Sequence, residues 1–281
     1  MGSKLREIMI LVTGLLVIAA VLGSVTAGCA ATTTSKLPPT SSTSPTAGGA
    51  SGQQAKDEAA RLLQEGTKLF QQGQTSQALE SLDKAVAADP SSLEAWTARG
   101  VVQTGLGEFE AALESFEKAE AIDPKSAGAL TMVGAALNSL QRYSEALPKF
   151  DAALALDPHT LGAMYGRGET LYYLKRPEDA IKQLTQFLQL QPNDARSLQW
   201  LAGSQVALGR YNDALQSAEK ATSIDPSLRI AWLFLGEAQD ALGYAAEAIV
   251  AFQKFVDMTP AGFDQESVSF ATERLSALSG R

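Results

Sequence analysis

Small and apolar residues return along this 281-residue chain on a fixed beat. Prolines stand at Pro90, Pro124, Pro158, Pro192, Pro226 and Pro260, evenly spaced at thirty-four positions. Twelve positions before each proline is an alanine: Ala78, Ala112, Ala146, Ala180, Ala214 and Ala248. The residue after that alanine is always aliphatic, as Leu79, Leu113, Leu147, Ile181, Leu215 and Ile249. Further upstream a second small residue keeps the phase, as Gly66, Gly100, Gly134, Gly168, Ala202 and Gly236. A period in this range marks stacked supersecondary units that bury their apolar faces on one another.

Each unit reads as two helices. Apolar residues within a unit keep helical spacing, for example Leu106, Phe109, Leu113 and Phe116. The phased small residues let helix backbones cross closely. Gly73, Gly107, Gly209 and Gly243 are placed to end first helices in the left-handed conformation. The phased prolines stop the second helices. Pro177 falls at the start of a second helix, where proline is favoured. Pro148 lies about one turn into another and forfeits a hydrogen bond there. Asp264 is placed to cap a last helix over 264–279, with Val268, Ala271, Leu275 and Leu278 on one face.

Residues 1–29 differ in kind. Lys4 and Arg6 precede an uncharged, largely apolar run from Ile8 to Val25, and Thr26-Ala27-Gly28-Cys29 follows. This is the order of a secretory signal. Val25-Thr26-Ala27-Gly28-Cys29 resembles the bacterial lipoprotein lipobox, with Thr26 where leucine is usual, and the resemblance implies lipidation at Cys29. The alternative is a retained membrane helix, since the apolar run would rise about 27 Å. Either reading places residues 30–281 outside the cytoplasm, membrane-anchored, because Lys4 and Arg6 stay inside. From Ala30 to Ala55 every residue except Lys36 and Leu37 is Ser, Thr, Pro, Gly, Ala or Gln. Such a stretch buries too little to offset its ordering entropy, so a disordered tether is expected over 30–55. The repeat domain is expected over 56–281.

Composition narrows the chemistry. The formal net charge is −8, which is not the footprint of a nucleic-acid binder. One His and one Cys exclude His₂, Cys₂ or Cys/His metal clusters. The lone His159 follows Pro158 and reads as a loop residue. Asp89-Pro90, Asp123-Pro124, Asp157-Pro158 and Asp225-Pro226 read as punctuation at helix ends, without the acidic loop a calcium site needs. No phosphate-cradling glycine loop is present. No cofactor, metal or catalytic residue is expected.

The phased residues, such as Trp96, Gly100, Phe109, Ala112, Phe116, Ala119 and Pro124 in the second unit, are similar to the tetratricopeptide-repeat pattern. Six such units cover about 59–262. The resemblance implies an all-α, right-handed α-solenoid of six helix-turn-helix repeats plus a C-terminal capping helix. Three positions depart from the pattern: Phe187 and Phe255 stand where alanine is usual, and Ala218 where a large residue packs. The first two call for local repacking of the second helices or extra room at the outer surface. The resemblance also implies a concave groove lined by first helices, in which a protein or peptide partner lies. Its groove positions fall on Thr97, Val101 and Thr104, on Thr131, Ala135 and Asn138, and on Tyr165, Glu169 and Tyr172. Gln199 and Gly203, then Leu233, Glu237 and Asp240, complete it. Tyr165, Glu169 and Tyr172 share one helix face, with Tyr173 beside them. Tyrosines of this kind serve as docking anchors, or they pack between helices; both readings stand at this stage. The acidic groove residues favour a neutral or basic partner. The expected role is a non-enzymatic interaction scaffold. The alternatives are an envelope assembly factor of the pilus or outer-membrane type and, less in keeping with the space left beyond the repeats, an envelope enzyme.

Overall fold

The computed structural model describes residues 47–262 and 264–280. The export segment, Cys29 and residues 30–46 of the tether lie outside the described residues. Among the described residues there are thirteen α-helices and no strand. None of these helices is long and apolar enough to cross a membrane. In chain order they are α1 (Ala47–Gln71), α2 (Thr75–Ala88), α3 (Leu93–Leu106), α4 (Phe109–Ile122) and α5 (Ala127–Ser139). There follow α6 (Tyr143–Leu156), α7 (Leu161–Tyr173), α8 (Pro177–Leu190), α9 (Ala195–Ala207) and α10 (Tyr211–Ile224). The last three are α11 (Arg229–Ala241), α12 (Ala245–Met258) and α13 (Gln265–Ser279). This is the all-α helix-pair repeat class expected. The first helix, α1, starts at Ala47, within the stretch 30–55 whose composition reads as tether.

The helices divide into two compact units at Arg142/Tyr143, with residues 155–157 grouped with the first. In the first unit α1, α3 and α5 are neighbours, and α2 and α4 pack between successive members. In the second, α7, α9 and α11 lie side by side, backed by α8, α10 and α12.

The turns between helices are held by side chains at phased positions. Ser92, Ser126 and Asp194 accept hydrogen bonds from backbone N–H groups one turn on, at 3.1, 3.2 and 2.7 Å, and so cap α3, α5 and α9. Asp89 Oδ1 accepts from the Ser91 N–H at 3.0 Å, and Asp225 Oδ1 from the Ser227 N–H at 2.9 Å. Trp96 Nε1 donates to the Pro90 carbonyl at 3.0 Å, and Trp232 Nε1 to that of Pro226 at 2.9 Å. Each indole thus ties its helix to the turn before it.

Arginines clamp three helices at a time. Arg99 on α3 donates to Asp83 of α2 at 2.6 Å and to Ser115 of α4 at 2.7 Å. Two periods later Arg167 on α7 donates to Asp151 of α6 at 2.6 Å and to Gln183 of α8 at 3.1 Å.

Close crossings occur at the small residues. A Cβ built on Gly100 would lie 2.5 Å from Phe116, and one on Gly236 2.7 Å from Phe252. Phe187 and Phe255 are both buried, so the core has repacked around them. Ala218, also buried, shares a core cluster with Phe234 and Trp200, which supply the bulk that the alanine lacks.

Gly73, Gly107, Gly209 and Gly243 adopt φ values of 76°, 79°, 68° and 83° after their first helices. The same register position holds Gln141 (φ 59°) and Lys175 (φ 58°), which carry a Cβ in the left-handed region. Strain of that kind costs about 1–2 kcal/mol, offset in part by the entropy a glycine would lose. Gln141→Gly is therefore expected to stabilise the fold by about 0.5–1 kcal/mol, read as a higher urea midpoint with an unchanged m-value.

The final helix forms with Ala271 and Leu278 buried and Val268 and Leu275 packed on the same cluster. Asp264 does not cap it by side chain. It takes φ 50°, ψ 52°, and its carboxylate faces Arg229 at 3.7 Å.

Candidate functional site: an aromatic cleft in the second unit

The groove positions in the first unit are mostly self-satisfied. Thr104 Oγ1 donates to the Gly100 carbonyl at 2.9 Å, and Thr131 Oγ1 to that of Ala127 at 2.7 Å. Val101 and Thr131 are buried. Thr97 is half-buried, and its hydroxyl has no partner among the described residues. Ala135 and Asn138 are half-buried. These side chains present little free hydrogen-bonding surface.

In the second unit the predicted residues converge on α7, α9 and α11, and they are joined by residues that the register did not single out. Tyr165 is a wall residue: its ring tilts on Phe187 at 6.2 Å, and its hydroxyl accepts from Trp200 Nε1 at 3.2 Å. Burial pushes that hydroxyl well above its ordinary pKa, and the Glu169 carboxylate adds to the effect.

Tyr172 is central. Its ring lies 5.1 Å from Trp200, 5.3 Å from Tyr173 and 5.9 Å from Phe234. Tyr173 stacks on Tyr143 at 4.4 Å with only 7° between planes, yet it is 38 % exposed. The result is a continuous run, Tyr143–Tyr173–Tyr172–Phe234, resting on Trp200. Rings at these separations are worth about 0.5–1.5 kcal/mol per pair beyond their buried area. They also present a stiff surface that loses little entropy on binding.

Glycine makes the approach of two of these rings possible. A Cβ on Gly203 would lie 2.5 Å from Phe234 and 2.9 Å from Tyr172. Beside this crossing opens a cleft of about 360 Å³ lined by Tyr172, Lys175, Gly203, Val206, Phe234 and Glu237, among others. The left-handed turn at Lys175 brings its Nζ to 5.8 Å from the centre of the Tyr172 ring. Burial pushes the Tyr172 hydroxyl up to about 12, with the Glu237 and Asp264 carboxylates adding to the effect.

Glu237 is half-buried, and desolvation raises its carboxyl from 4.5 to about 7. Asp240, one turn on, accepts two bonds from Arg274 of α13 at 2.6 and 3.0 Å. Gln199 is buried in α9, and Leu233 in α11. Glu169 lies near enough to raise Tyr143, Tyr165 and Tyr173 together.

Sequence reasoning passed over Trp200, Phe234 and Tyr143. A signal existed for the first two: one register position runs Ala98, Met132, Gly166, Trp200, Phe234, and the late switch to large aromatics marks where the packing changes. Among the described residues no group of acidic, His or Cys side chains is placed to hold a metal ion.

Helix pairs of one constant repeat length, with a partly exposed aromatic face on the first helices, define a helical-repeat interaction scaffold. The chain belongs to the tetratricopeptide-repeat family, whose model matches residues 63–127, 134–195, 165–228 and 201–263. Proteins of this family bind protein or peptide partners and are generally non-enzymatic. Comparison with curated protein sequences returned no match.

Among solved structures the chain is similar to PilW, described as a widely conserved type IV pilus biogenesis factor, at 26 % identity and a TM-score of 0.64. That match covers 75 % of this chain and 97 % of PilW. PilF of Pseudomonas aeruginosa matches at 24 % identity and TM-score 0.64, over 79 % of this chain and 99 % of PilF. YrrB, described as a TPR protein with an unusual peptide-binding site, matches at 22 % identity and TM-score 0.53, over 69 % of this chain and 99 % of YrrB. The last two likenesses show a shared fold.

Proposed function

We propose that this chain is a non-enzymatic scaffold that docks a peptide or helical segment of a partner against the aromatic face of α7, α9 and α11. The observation that carries the reading is the exposed Tyr173 and half-buried Tyr172, backed by the buried ring of Phe234, beside an open cleft. Large rigid aromatics at a cleft are where binding energy concentrates. Tyr172 and Tyr173 act as anchors, and Tyr165 acts as support behind them. In this reading the protein is held on the extracytoplasmic face of the membrane through Cys29, and the Ser/Thr/Pro-rich segment gives it reach.

The test is crosslinked capture from cells with native protein and with a Tyr173→Ala variant. Tyr173 is the exposed member of the run, so the variant keeps the wall formed by Tyr165 and Trp200. A partner recovered with native protein and lost with Tyr173→Ala supports docking at this face. The same partner recovered equally with both contradicts it. Labelling with a radioactive fatty acid, lost in Cys29→Ala, tests the anchor.

A second, narrower reading is assembly of a surface pilus. It rests on the 26 % identity to PilW over nearly all of that protein. Deletion is then expected to abolish surface pili, and normal piliation in a deletion strain contradicts it.

A further inference from the structure

The acidic residues around the cleft differ in one respect. Asp240 has Arg274 at 2.6 Å, and Asp264 has Arg229 at 3.7 Å. Glu237 lines the cleft itself, and no cation or hydrogen-bond donor among the described residues reaches its carboxyl. Lys175, on the same cleft, places its ammonium over the Tyr172 ring instead. Removing a carboxylate from water without a partner is costly, so the free chain holds Glu237 partly protonated, and a cation arriving from outside favours its charged form.

The shape of the cleft specifies the kind of cation. The rings of Tyr172 and Phe234, brought together over Gly203, form an apolar wall. The carboxyl of Glu237 is the acidic group in the lining. About 360 Å³ is at the small end of ligand sites and is enough for one long side chain. An aliphatic stem would lie on the rings while its charged head meets the carboxylate, as lysine and arginine stems do on apolar surfaces. The net charge of −8 favours encounter with a basic segment.

We infer that the cleft between Tyr172, Phe234 and Glu237 seats a lysine or arginine side chain of the docked partner. This rests on the docking reading above and adds the chemistry of the residue that enters. It also carries a pH dependence. The charged and titratable groups near Glu237 are Lys175 and Tyr172 in the same lining, Asp264, which acts with Glu237 on the Tyr172 hydroxyl, and Asp240 one turn on along α11, which is bonded to Arg274 of α13. With its carboxyl held near 7, free Glu237 is half protonated at neutrality, while the basic side chain binds the carboxylate. Affinity is therefore expected to rise about tenfold from pH 6 to pH 8 and to level off above.

The test is selection of phage-displayed dodecapeptides on the full chain in detergent micelles, in parallel with Glu237→Gln, Tyr173→Ala and Lys36→Ala variants. The expected result is enrichment of peptides with Lys or Arg at one fixed position on the native chain, and loss of that preference on Glu237→Gln. Replacing that basic residue by norleucine in a selected peptide is expected to weaken binding to the native chain about tenfold or more, and binding to Glu237→Gln by less than about twofold. Enriched peptides with no basic residue overturn the inference and leave the docking reading standing. Enrichment that is the same on native and Tyr173→Ala chains overturns both. A basic consensus found only with Lys36→Ala assigns the cleft to the chain's own Lys36 and overturns the assignment to a partner.

Discussion

Phe150→Ala is expected to lower the free energy of unfolding by about 3–5 kcal/mol, the range for truncating a buried phenylalanine. Phe150 is fully buried. Its ring occupies the space that a side chain on the facing α7 would need, since a Cβ on Gly166 would lie 2.3 Å from Cζ. Arg167, next to Gly166 in sequence, is bonded to both Asp151 and Gln183, which ties α7 to the helices on either side. The chain also shows the same contact in reverse. Ala218 and Phe234, spaced in sequence like Phe150 and Gly166, put the small residue on the second helix and the large one on the first. Gly166→Phe added to Phe150→Ala is thus expected to restore part of the loss, whereas Gly166→Phe alone overpacks the crossing. Urea unfolding of the native chain, both single variants and the double variant measures the coupling directly. Additive losses would contradict the exchange.

Glu237→Gln is expected to stabilise the chain at alkaline pH and to leave it nearly unchanged in acid. Desolvation holds the folded carboxyl at about 7 against an ordinary value of 4.5. The folded state therefore keeps a proton that the unfolded state has released between those two values. Stability associated with the protonated carboxyl is fully present below 4.5, declines as pH rises, and is lost once pH passes about 7. The loss amounts to about 3 kcal/mol. Glutamine is a neutral stand-in for the protonated acid and does not incur it. Native and variant stabilities are expected to agree at pH 4.5 and to diverge by about 2–3 kcal/mol at pH 8.5 in urea titrations. Parallel curves across that range would contradict a half-buried, unpaired carboxyl at this position.

The architecture was legible because its causes are local and repeated. A proline at one constant interval, an alanine twelve positions before it and a small residue at the crossing each impose a geometric requirement that recurs six times. Repetition separates such a requirement from chance. The aromatic site was legible only in part. Register placed Tyr165, Glu169 and Tyr172 on one face, but the depth of each depends on residues a whole repeat away. Tyr165 becomes a wall because Trp200, about one repeat later in the chain, donates to its hydroxyl. Tyr173 gains its stacking partner from Tyr143, on the helix before its own.

Other features break the pattern instead of following it. The left-handed turns at Gln141 and Lys175 occupy a slot that glycine fills in the other repeats, so composition gives no hint of them. Asp264 has the right position for a cap, yet its own left-handed backbone and the pull of Arg229 direct its carboxylate elsewhere. The Arg99 and Arg167 clamps were invisible because charged residues on a helix usually read as solvated.

Partner segments are proposed to dock on the aromatic face of the second unit. The most direct measurement is the indole N–H spectrum of the ¹⁵N-labelled chain on addition of a captured partner's segment. The three tryptophans report from different places: Trp200 lies beneath the tyrosine run, while Trp96 and Trp232 are bonded to turn carbonyls. The Trp200 signal is expected to shift on binding while that of Trp96 stays in place. Binding that moves Trp96 and leaves Trp200 unchanged would rule out docking at this face.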